Sequence, residues 1–358
     1  MLHRMAHDAE ARTVRAFCPG RVNLIGDHTD YNEGVALPMA VDLGTIVTFT
    51  PDDGYRVVLR SVGEPDPADV DVHVPLDPGQ LRAIEPRWAR YVAAMVAVVR
   101  PSTGGRGTVE TNLPVASGLA SSAALEVAVS LALGFEGTPL TMARMCQRAE
   151  QAATGVATGL MDQWVVTGGI EGCALLLDFA EMASGPVAIP EGAEIVVVHS
   201  GERRTLDRSG YAARRAECEA AAYRLGPLGL LGRDAVESIP DAVLRRRARH
   251  VVSECERVRW FAHALLDGDL HAAGQHMTAS HMSLAQDFAV STPTLDELVG
   301  RLIVTPGVYG ARLTGAGFGG CVVALSEPNA IDLADLRTPG WRVRASAGAK
   351  VLSGPRRS

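Results

Sequence analysis

Polar side chains crowd into one stretch near the N-terminus, residues 17–41, with the sequence FCPGRVNLIGDHTDYNEGVALPMAV. Arg21, Asp27, His28 and Asp30 lie within ten positions of one another there. Carboxylates accept hydrogen bonds from hydroxyl groups, and a misplaced hydroxyl leaves a buried polar group unpaired. The stretch is therefore either a crowded polar turn or a pocket for a ligand that carries many hydroxyl groups.

A second stretch, PVASGLASSAA at 114–124, leads directly into the apolar run LEVAVSLAL. Small residues let the backbone approach a ligand closely, and amides at the start of a helix attract anions. The hydroxyl groups of Ser117, Ser121 and Ser122 could bind phosphate oxygens or a magnesium ion. A helix that is merely capped by serine explains the stretch equally well.

A third stretch, TGAGFGG at 314–320, fits the G-x-G-x-x-G pattern through Gly315, Gly317 and Gly320. That pattern marks a dinucleotide site only where a strand precedes it and a helix follows it. Here CVVALSE follows, which is typical of a strand. We therefore predict a glycine loop between two strands, which would serve as a wall for a nucleotide-phosphate pocket.

A fourth stretch, GLMDQW at 159–164, places Asp162 in an apolar setting twelve residues after Glu150. On its own this carboxylate is more simply a structural acid than a base or a metal ligand. The three histidines His271, His276 and His281 suggest a metal site, but steps of five residues turn a helix by about 140° each, so their rings do not share a face.

Composition excludes several classes of function. The net charge of −7 argues against a nucleic-acid partner, and the basic run at 244–250 is predicted to be a solvated helix face. Lys350 is the only lysine, which excludes Schiff-base catalysis and a Walker-type phosphate loop. The six cysteines are scattered and include no C-x-x-C pair. We expect a cytoplasmic monomer without membrane spans, zinc or disulfides.

Strand and helix patterns alternate along the chain, which predicts a mixed α/β or α+β class. With 358 residues the chain is long enough for two domains. The Pro- and Gly-rich segment 184–192 favours a division into 1–185 and 186–358. The segments expected to form strands are 45–50, 56–60, 194–199 and 321–325. The segments expected to form helices are 88–99, 121–134, 141–153, 211–224 and 254–266.

Taken together, the four stretches resemble the GHMP small-molecule kinases, and within that family the galactokinase group. Two further segments, RWARYV at 87–92 and SGYAARRAECE at 209–219, match in order and spacing. The resemblance implies a ribosomal-protein-S5-like N-terminal domain, a ferredoxin-like C-terminal domain and an active site between them. It also implies phosphorylation of the C1 hydroxyl of a hexose, most simply D-galactose, with ATP as co-substrate and Mg²⁺ as cofactor.

The resemblance implies a role for each matching residue. Asp162 would be the base that takes the sugar proton, and Arg21 would keep it ionised because an opposite charge lowers a carboxyl pKa. The sugar contacts would be Asp27, His28, Asp30, Gly159 and Tyr211. The nucleotide contacts would be Trp88, Ser117, Gly118, Ser121, Ser122, Gly315 and Gly317. The magnesium ligands would be Ser122 and Glu150.

The sequence departs from the family pattern mainly at the sugar signature and the phosphate loop. Asp27 stands where the galactokinases usually carry glutamate, and Ala116 and Ala120 replace a glycine and a serine of the loop. These changes leave open a kinase for a different hexose or sugar derivative. A sugar- and ATP-binding sensor without catalysis is a further alternative.

Overall fold

The fold is built around two sheets, as seen in a computed structural model that describes residues 13–114, 118–202 and 208–354. The larger sheet has eight strands, of which six run in the order β12-β1-β2-β5-β3-β4, while β6 pairs with β2 and β7. These strands are β1 Val14–Ile25, β2 Val35–Pro51, β3 Arg56–Ser61, β4 Ala68–Asp71, β5 Gly105–Thr111, β6 Cys173–Asp178, β7 Ala183–Ala188 and β12 Lys350–Ser353.

The smaller sheet has four strands, in the order β11-β8-β10-β9, and all its neighbours are antiparallel. These strands are β8 Glu194–His199, β9 Val308–Thr314, β10 Cys321–Ser326 and β11 Gly340–Val343. The loop between β9 and β10 is the glycine-rich stretch 314–320, so the prediction of a glycine loop between two strands is confirmed.

Helices cover both sheets. Those that pack with the larger sheet or with each other beside it are α1 Pro78–Ala83, α2 Ala89–Val99, α3 Ser121–Ala132, α4 Pro139–Thr154 and α5 Met161–Gly168. The later helices are α6 Arg208–Leu225, α7 Arg233–Glu237, α8 Ala242–Leu266, α9 Leu270–Ser283 and α10 Pro293–Ile303. A single π-helical turn, Leu284–Phe288, continues α9. The mixed α/β class and the predicted strands and helices are confirmed.

Two features of the fold differ from the pattern read in the sequence. The division at 185/186 falls inside β7, which pairs with β6, and β12 returns the end of the described chain to the larger sheet. The basic run at 244–250 does lie on a helix, α8, but its face is not fully solvated. Arg247 is buried and pairs with Glu217 at 2.6 Å, and His250 is completely buried. The expectation was wrong for these two residues because α8 packs between other helices and the larger sheet.

Within the described ranges, no helix is both long enough and apolar enough to cross a membrane. The apolar stretch that follows the second motif forms α3, whose buried face packs on β1 and β2. This placement agrees with the helix expected at 121–134.

Candidate active site

Arg21 and Asp162, which belong to two different sequence motifs, are in direct contact. Arg21 lies on β1 and Asp162 in the first turn of α5, which packs against that strand. The guanidinium group donates through Nε to Oδ1 at 2.8 Å and through Nη2 to Oδ2 at 2.7 Å. Such a bidentate pair fixes the orientation of the carboxylate and favours its ionised form. Asp162 keeps about a third of its side chain exposed, so it is accessible to a substrate.

The predicted sugar contacts converge beside this pair. Asp30 packs directly on Gly159, since a Cβ atom at position 159 would lie 1.5 Å from Oδ2 of Asp30. Only glycine permits this approach, which explains the residue type there. The His28 ring lies 5.8 Å from the Tyr211 ring, and its Nδ1 is hydrogen-bonded to the Tyr31 hydroxyl at 2.9 Å. A flat aromatic wall next to a carboxylate suits a ligand with both hydroxyl groups and apolar ring faces.

Burial changes the acid strength of Asp30. Its removal from water and, second, the nearby charge of Asp162 raise the pKa of Asp30 to about 6. The backbone N–H of Met161, which donates to it at a long 3.5 Å, and the backbone N–H of Tyr31 oppose this rise. A carboxylate held by weak backbone donors of this kind keeps acceptor capacity for hydroxyl groups of a ligand.

Asp27 has a different environment from the other predicted sugar contacts. Its Oδ2 accepts from Nη2 of Arg312 at 2.6 Å, and its Oδ1 accepts from the backbone N–H of Gly315 at 3.0 Å. The Asp27 side chain is 4% exposed and that of Arg312 is completely buried. The structure thus joins the first motif to the glycine loop through this aspartate.

The two predicted magnesium ligands are also adjacent. Ser122 Oγ, in the first turn of α3, donates to Glu150 Oε1 at 2.9 Å. Thr158 and Gln163 donate to the other oxygen, at 3.1 Å and 2.9 Å. Burial and the charge of Asp162 raise the pKa of Glu150. Among the described residues no cationic side chain pairs with Glu150, and its carboxylate and the Ser122 hydroxyl fit the hard-oxygen preference of Mg²⁺.

A second buried carboxyl group, Glu126, lies behind this pair. It is completely buried on α3, next to the Gln163 amide and within electrostatic reach of Glu150. Burial, followed by the charge of Glu150, raises its pKa well above the usual value. Sequence reasoning missed this residue as part of the site, although a single charge within the apolar stretch 113–135 was a signal that could have found it.

The predicted nucleotide contacts are only partly brought together. The Gly118 carbonyl accepts from Arg21, Ala120 caps α3 in the left-handed conformation with φ of 57°, and Ser121 begins the helix. Ser117 lies outside the described residues. Trp88 donates to the Asp66 carbonyl at 3.3 Å and is not part of the cavity wall. Gly317 packs against Val290 instead, whereas Gly315 reaches the cavity.

One cavity of about 340 Å³ is lined by residues from all four sequence motifs. Sequence reasoning did not assign Arg87 and Tyr91 on its wall, although the motif RWARYV contains both. The histidines considered for zinc have separate neighbours, which are Tyr309 for His271, Trp260 for His276 and Asp296 for His281. The predicted residues that line the cavity are Arg21, Asp27, His28, Asp30, Ser122, Glu150, Gly159, Asp162, Tyr211 and Gly315.

Comparison with known proteins places these motifs in a family. The galactokinase galactose-binding signature matches residues 2–51, the GHMP kinase N-terminal domain matches 90–169, and the GHMP kinase C-terminal domain matches 261–335. The galactokinase of Mycobacterium tuberculosis H37Rv is 43% identical over 342 residues, which cover 90% of this chain and 92% of the relative. The human galactokinase is 40% identical, over 87% of this chain and 83% of the relative.

Solved structures agree with the sequence comparison. The galactokinase of Lactococcus lactis, crystallised with galactose, superposes with a TM-score of 0.87 at 28% identity, over 98% of this chain and all of that one. The mevalonate kinase of Methanococcus jannaschii, at 19% identity and a TM-score of 0.66 over 93% of this chain and 98% of its own, shares the fold alone. On sequence, fold and site geometry together, the chain belongs to the galactokinase family of GHMP kinases.

Proposed function

We propose that this protein transfers the γ-phosphoryl group of ATP to the C1 hydroxyl of D-galactose, giving galactose 1-phosphate and ADP. The observation that carries the proposal is the two-pronged Arg21–Asp162 pair, which opens into the same cavity as Asp30, His28 and Tyr211. A base, its orienting cation and a set of acceptors for hydroxyl groups are the parts that a sugar kinase needs.

The chemistry follows from where the acceptor hydroxyl would lie. Asp162 takes the proton of the C1 hydroxyl. The oxygen of that hydroxyl forms a bond to the γ-phosphorus while the bond from this phosphorus to the ADP oxygen breaks. Arg21 holds the Asp162 carboxylate in place and can stabilise negative charge that develops on the transferred group. Ser122 and Glu150 would hold Mg²⁺, which would neutralise charge on the triphosphate.

The sugar site is defined by Asp30 against Gly159 and by the aromatic side chains of His28, Tyr31 and Tyr211. We propose that a sugar bound here presents its anomeric hydroxyl to Asp162. A cytoplasmic location and a monomeric state remain predictions from the sequence.

The direct test is ADP release with ATP, Mg²⁺ and each member of a panel of free hexoses. We expect turnover with galactose and at most traces with its epimers. Turnover with another sugar and none with galactose would assign the site to a different hexose. Binding of both ligands without ADP release would make the protein a sensor.

Replacement of the proposed base, Asp162→Asn, should lower kcat by about 10²–10⁴-fold and leave ATP binding within about twofold of wild type, because the amide cannot accept the proton. Asp77→Asn is the matched control, since Asp77 caps α1 and asparagine caps equally well. Near-normal kcat in Asp162→Asn would show that another group takes the proton.

A further inference from the structure

Two completely buried charged side chains lie in the C-terminal half, outside the set of site residues that the sequence predicted. Arg312 is on β9 and Glu254 on α8, and neither side chain is exposed to solvent. Their nearest charged atoms, Nη2 and Oε1, are 3.9 Å apart. A buried charge is unfavourable unless specific partners compensate it, so the positions of these partners show what the two residues hold in place.

Both residues find partners on the loop that precedes the sugar contacts. Arg312 donates through Nη2 to Asp27 at 2.6 Å and through Nη1 to the Leu24 carbonyl at 3.3 Å. Glu254 Oε1 accepts from the backbone N–H of Gly26 at 3.0 Å. The C-terminal half therefore contacts three of the four residues from 24 to 27, immediately before His28.

Glu254 is itself held firmly. Its Oε1 accepts from the Ser280 hydroxyl at 2.5 Å, and its Oε2 accepts from Nε of Arg257 at 2.8 Å. Burial raises the pKa of Glu254, but nearby cations, of which Arg257 is the strongest, lower it to about 2. The residue is thus an anion at neutral pH, in place to balance the charge of Arg312.

The loop needs such support because its backbone is strained. Gly26 has φ of 100° and His28 has φ of 66°, both in the left-handed region. Glycine adopts this conformation readily, whereas histidine does so at a cost. Strained backbone persists only where the surrounding structure holds it. Thr29 and Asn32 donate to the Gly26 and His28 carbonyls at 2.8 Å each. Glu254 and Arg312 add contacts from the C-terminal half, to the Gly26 N–H and the Asp27 carboxylate.

Both carboxylate oxygens of Asp27 are used in contacts that hold the loop. One oxygen accepts from Arg312 and the other from the Gly315 N–H, and the side chain is 4% exposed. By contrast, Asp30 accepts a long hydrogen bond from the Met161 N–H at 3.5 Å and a weaker one from the Tyr31 backbone, and it packs on Gly159. The two aspartates of the same motif therefore differ in their capacity to accept further hydrogen bonds.

We propose that Arg312 and Glu254 are positioning residues for the sugar site. In this proposal Asp27, which Arg312 holds, fixes the 26–30 loop and does not bind a sugar hydroxyl. The inference rests on the proposed sugar-kinase function. The two are separable, because wild-type protein that is inactive on every sugar would refute the function, whereas active wild type with unaffected variants would refute only the positioning role.

Glu254→Gln and Ser280→Ala test the positioning role without touching the sugar or the nucleotide. Misplacement of a reacting group by about 1 Å can cost as much as 100-fold in rate. We expect kcat/KM for galactose to fall roughly tenfold in Glu254→Gln and less in Ser280→Ala, with KM for ATP unchanged within about twofold. Ser280→Ala removes no charge, so it provides the measurement if Glu254→Gln does not fold.

Ser326→Ala is the matched control for the serine variant. Ser326 is also completely buried, but it lies at the far end of β10, and its hydroxyl makes no hydrogen bond within the part of the chain that the structure describes. Its loss should leave the galactose parameters unchanged. Equal effects in both serine variants, or equal changes in the ATP and galactose parameters, would mean that the network only supports global stability.

A panel of 2-, 3-, 4- and 6-deoxygalactose tests the role assigned to Asp27. The ratio of variant to wild-type Kd is measured for each sugar with Asp27→Asn, and with Asp30→Asn as the control for a direct contact. A residue that only positions the loop weakens every sugar by the same factor, whereas a residue that binds one hydroxyl loses its effect on the sugar that lacks it. A ratio for Asp27→Asn that returns to one on a single deoxy sugar would overturn the proposal.

Discussion

At the scale of single residues, Asp30 should make the affinity for the sugar depend on pH. Its pKa is raised to about 6, first by burial and second by the charge of Asp162. The ionised carboxylate accepts hydrogen bonds from hydroxyl groups, and protonation removes acceptor capacity. With a pKa of about 6, the ionised fraction falls about tenfold between pH 7 and pH 5, so the Kd for galactose should rise by about the same factor. Isothermal titration calorimetry at several pH values measures this.

Asp30→Asn is the control for that experiment. The amide does not titrate, so its galactose affinity should be weak and nearly constant over the same pH range. A wild-type Kd that stays flat from pH 7 to pH 5 would contradict the prediction, and an equal pH dependence in wild type and Asp30→Asn would assign the effect to another group.

The residues proposed to do chemistry were largely predictable from the sequence, because the family motifs carry them in fixed order. Arg21 with Asp162 and Ser122 with Glu150 are paired as the motifs imply. Glu126 was missed because its contact with the Gln163 amide depends on the packing of α3 against α5, and its isolation in an apolar stretch was the only signal in the sequence. Arg87, which precedes α2, and Tyr91, which lies on it, show the same limit, because only the folded chain decides which residues reach the cavity.

At the scale of elements, the helix α2 ends in a way that can be improved. Arg100 follows its last residue with φ of 55° and ψ of 61°, and its backbone N–H closes the helix on the Val96 carbonyl at 2.8 Å. Glycine is the residue best suited to this left-handed position. Arg100→Gly should therefore raise the free energy of unfolding by about 0.5–1 kcal/mol, measured by urea denaturation.

The matched control applies the same substitution within a helix. Arg144 is exposed in the middle of α4, where glycine is unfavourable by roughly 1 kcal/mol. Arg144→Gly should therefore lower the free energy of unfolding, so the two variants should change stability in opposite directions. A loss in both would mean that entropy gained by the unfolded chain outweighs relief of strain at position 100.

The elements themselves were predictable because helical and strand periodicities differ, but their limits and partners were less so. The sequence pattern from 254 to 266 continues back to residue 242 in the structure, since the basic run belongs to the same helix. The segment 184–192 is rich in Pro and Gly, yet its first residues form β7, where the partner β6 overrides the local pattern. Tertiary pairing of this kind is not visible in a local window.

At the scale of the whole molecule, residues from 186–358 contact the N-terminal half at and beside the 26–30 loop. Arg312 and Asp27 are 285 positions apart in the sequence, and His250 is 223 positions from the carbonyl of Asp27 that it contacts at 3.2 Å. No spacing rule predicts such pairs, because they depend on how α8 and β9 pack against β1. The proposed sugar site therefore depends on the complete fold and not on the signature motif alone.

His250 should make the stability of the whole protein sensitive to mild acid. Burial lowers its pKa to about 3, from 6.5 in an exposed histidine. Between these values the unfolded chain binds a proton that the folded chain excludes, so the unfolding free energy contributed by this residue falls as pH drops below 6.5. Glu254, with its pKa of about 2, acts the same way only below 4.5, and Asp30 opposes the effect between 6 and 3.8. Comparison of wild type with His250→Gln by urea denaturation at pH 7.5 and 5.5 isolates the histidine. The variant should lose less stability on acidification, and parallel losses in both proteins would assign the acid sensitivity elsewhere.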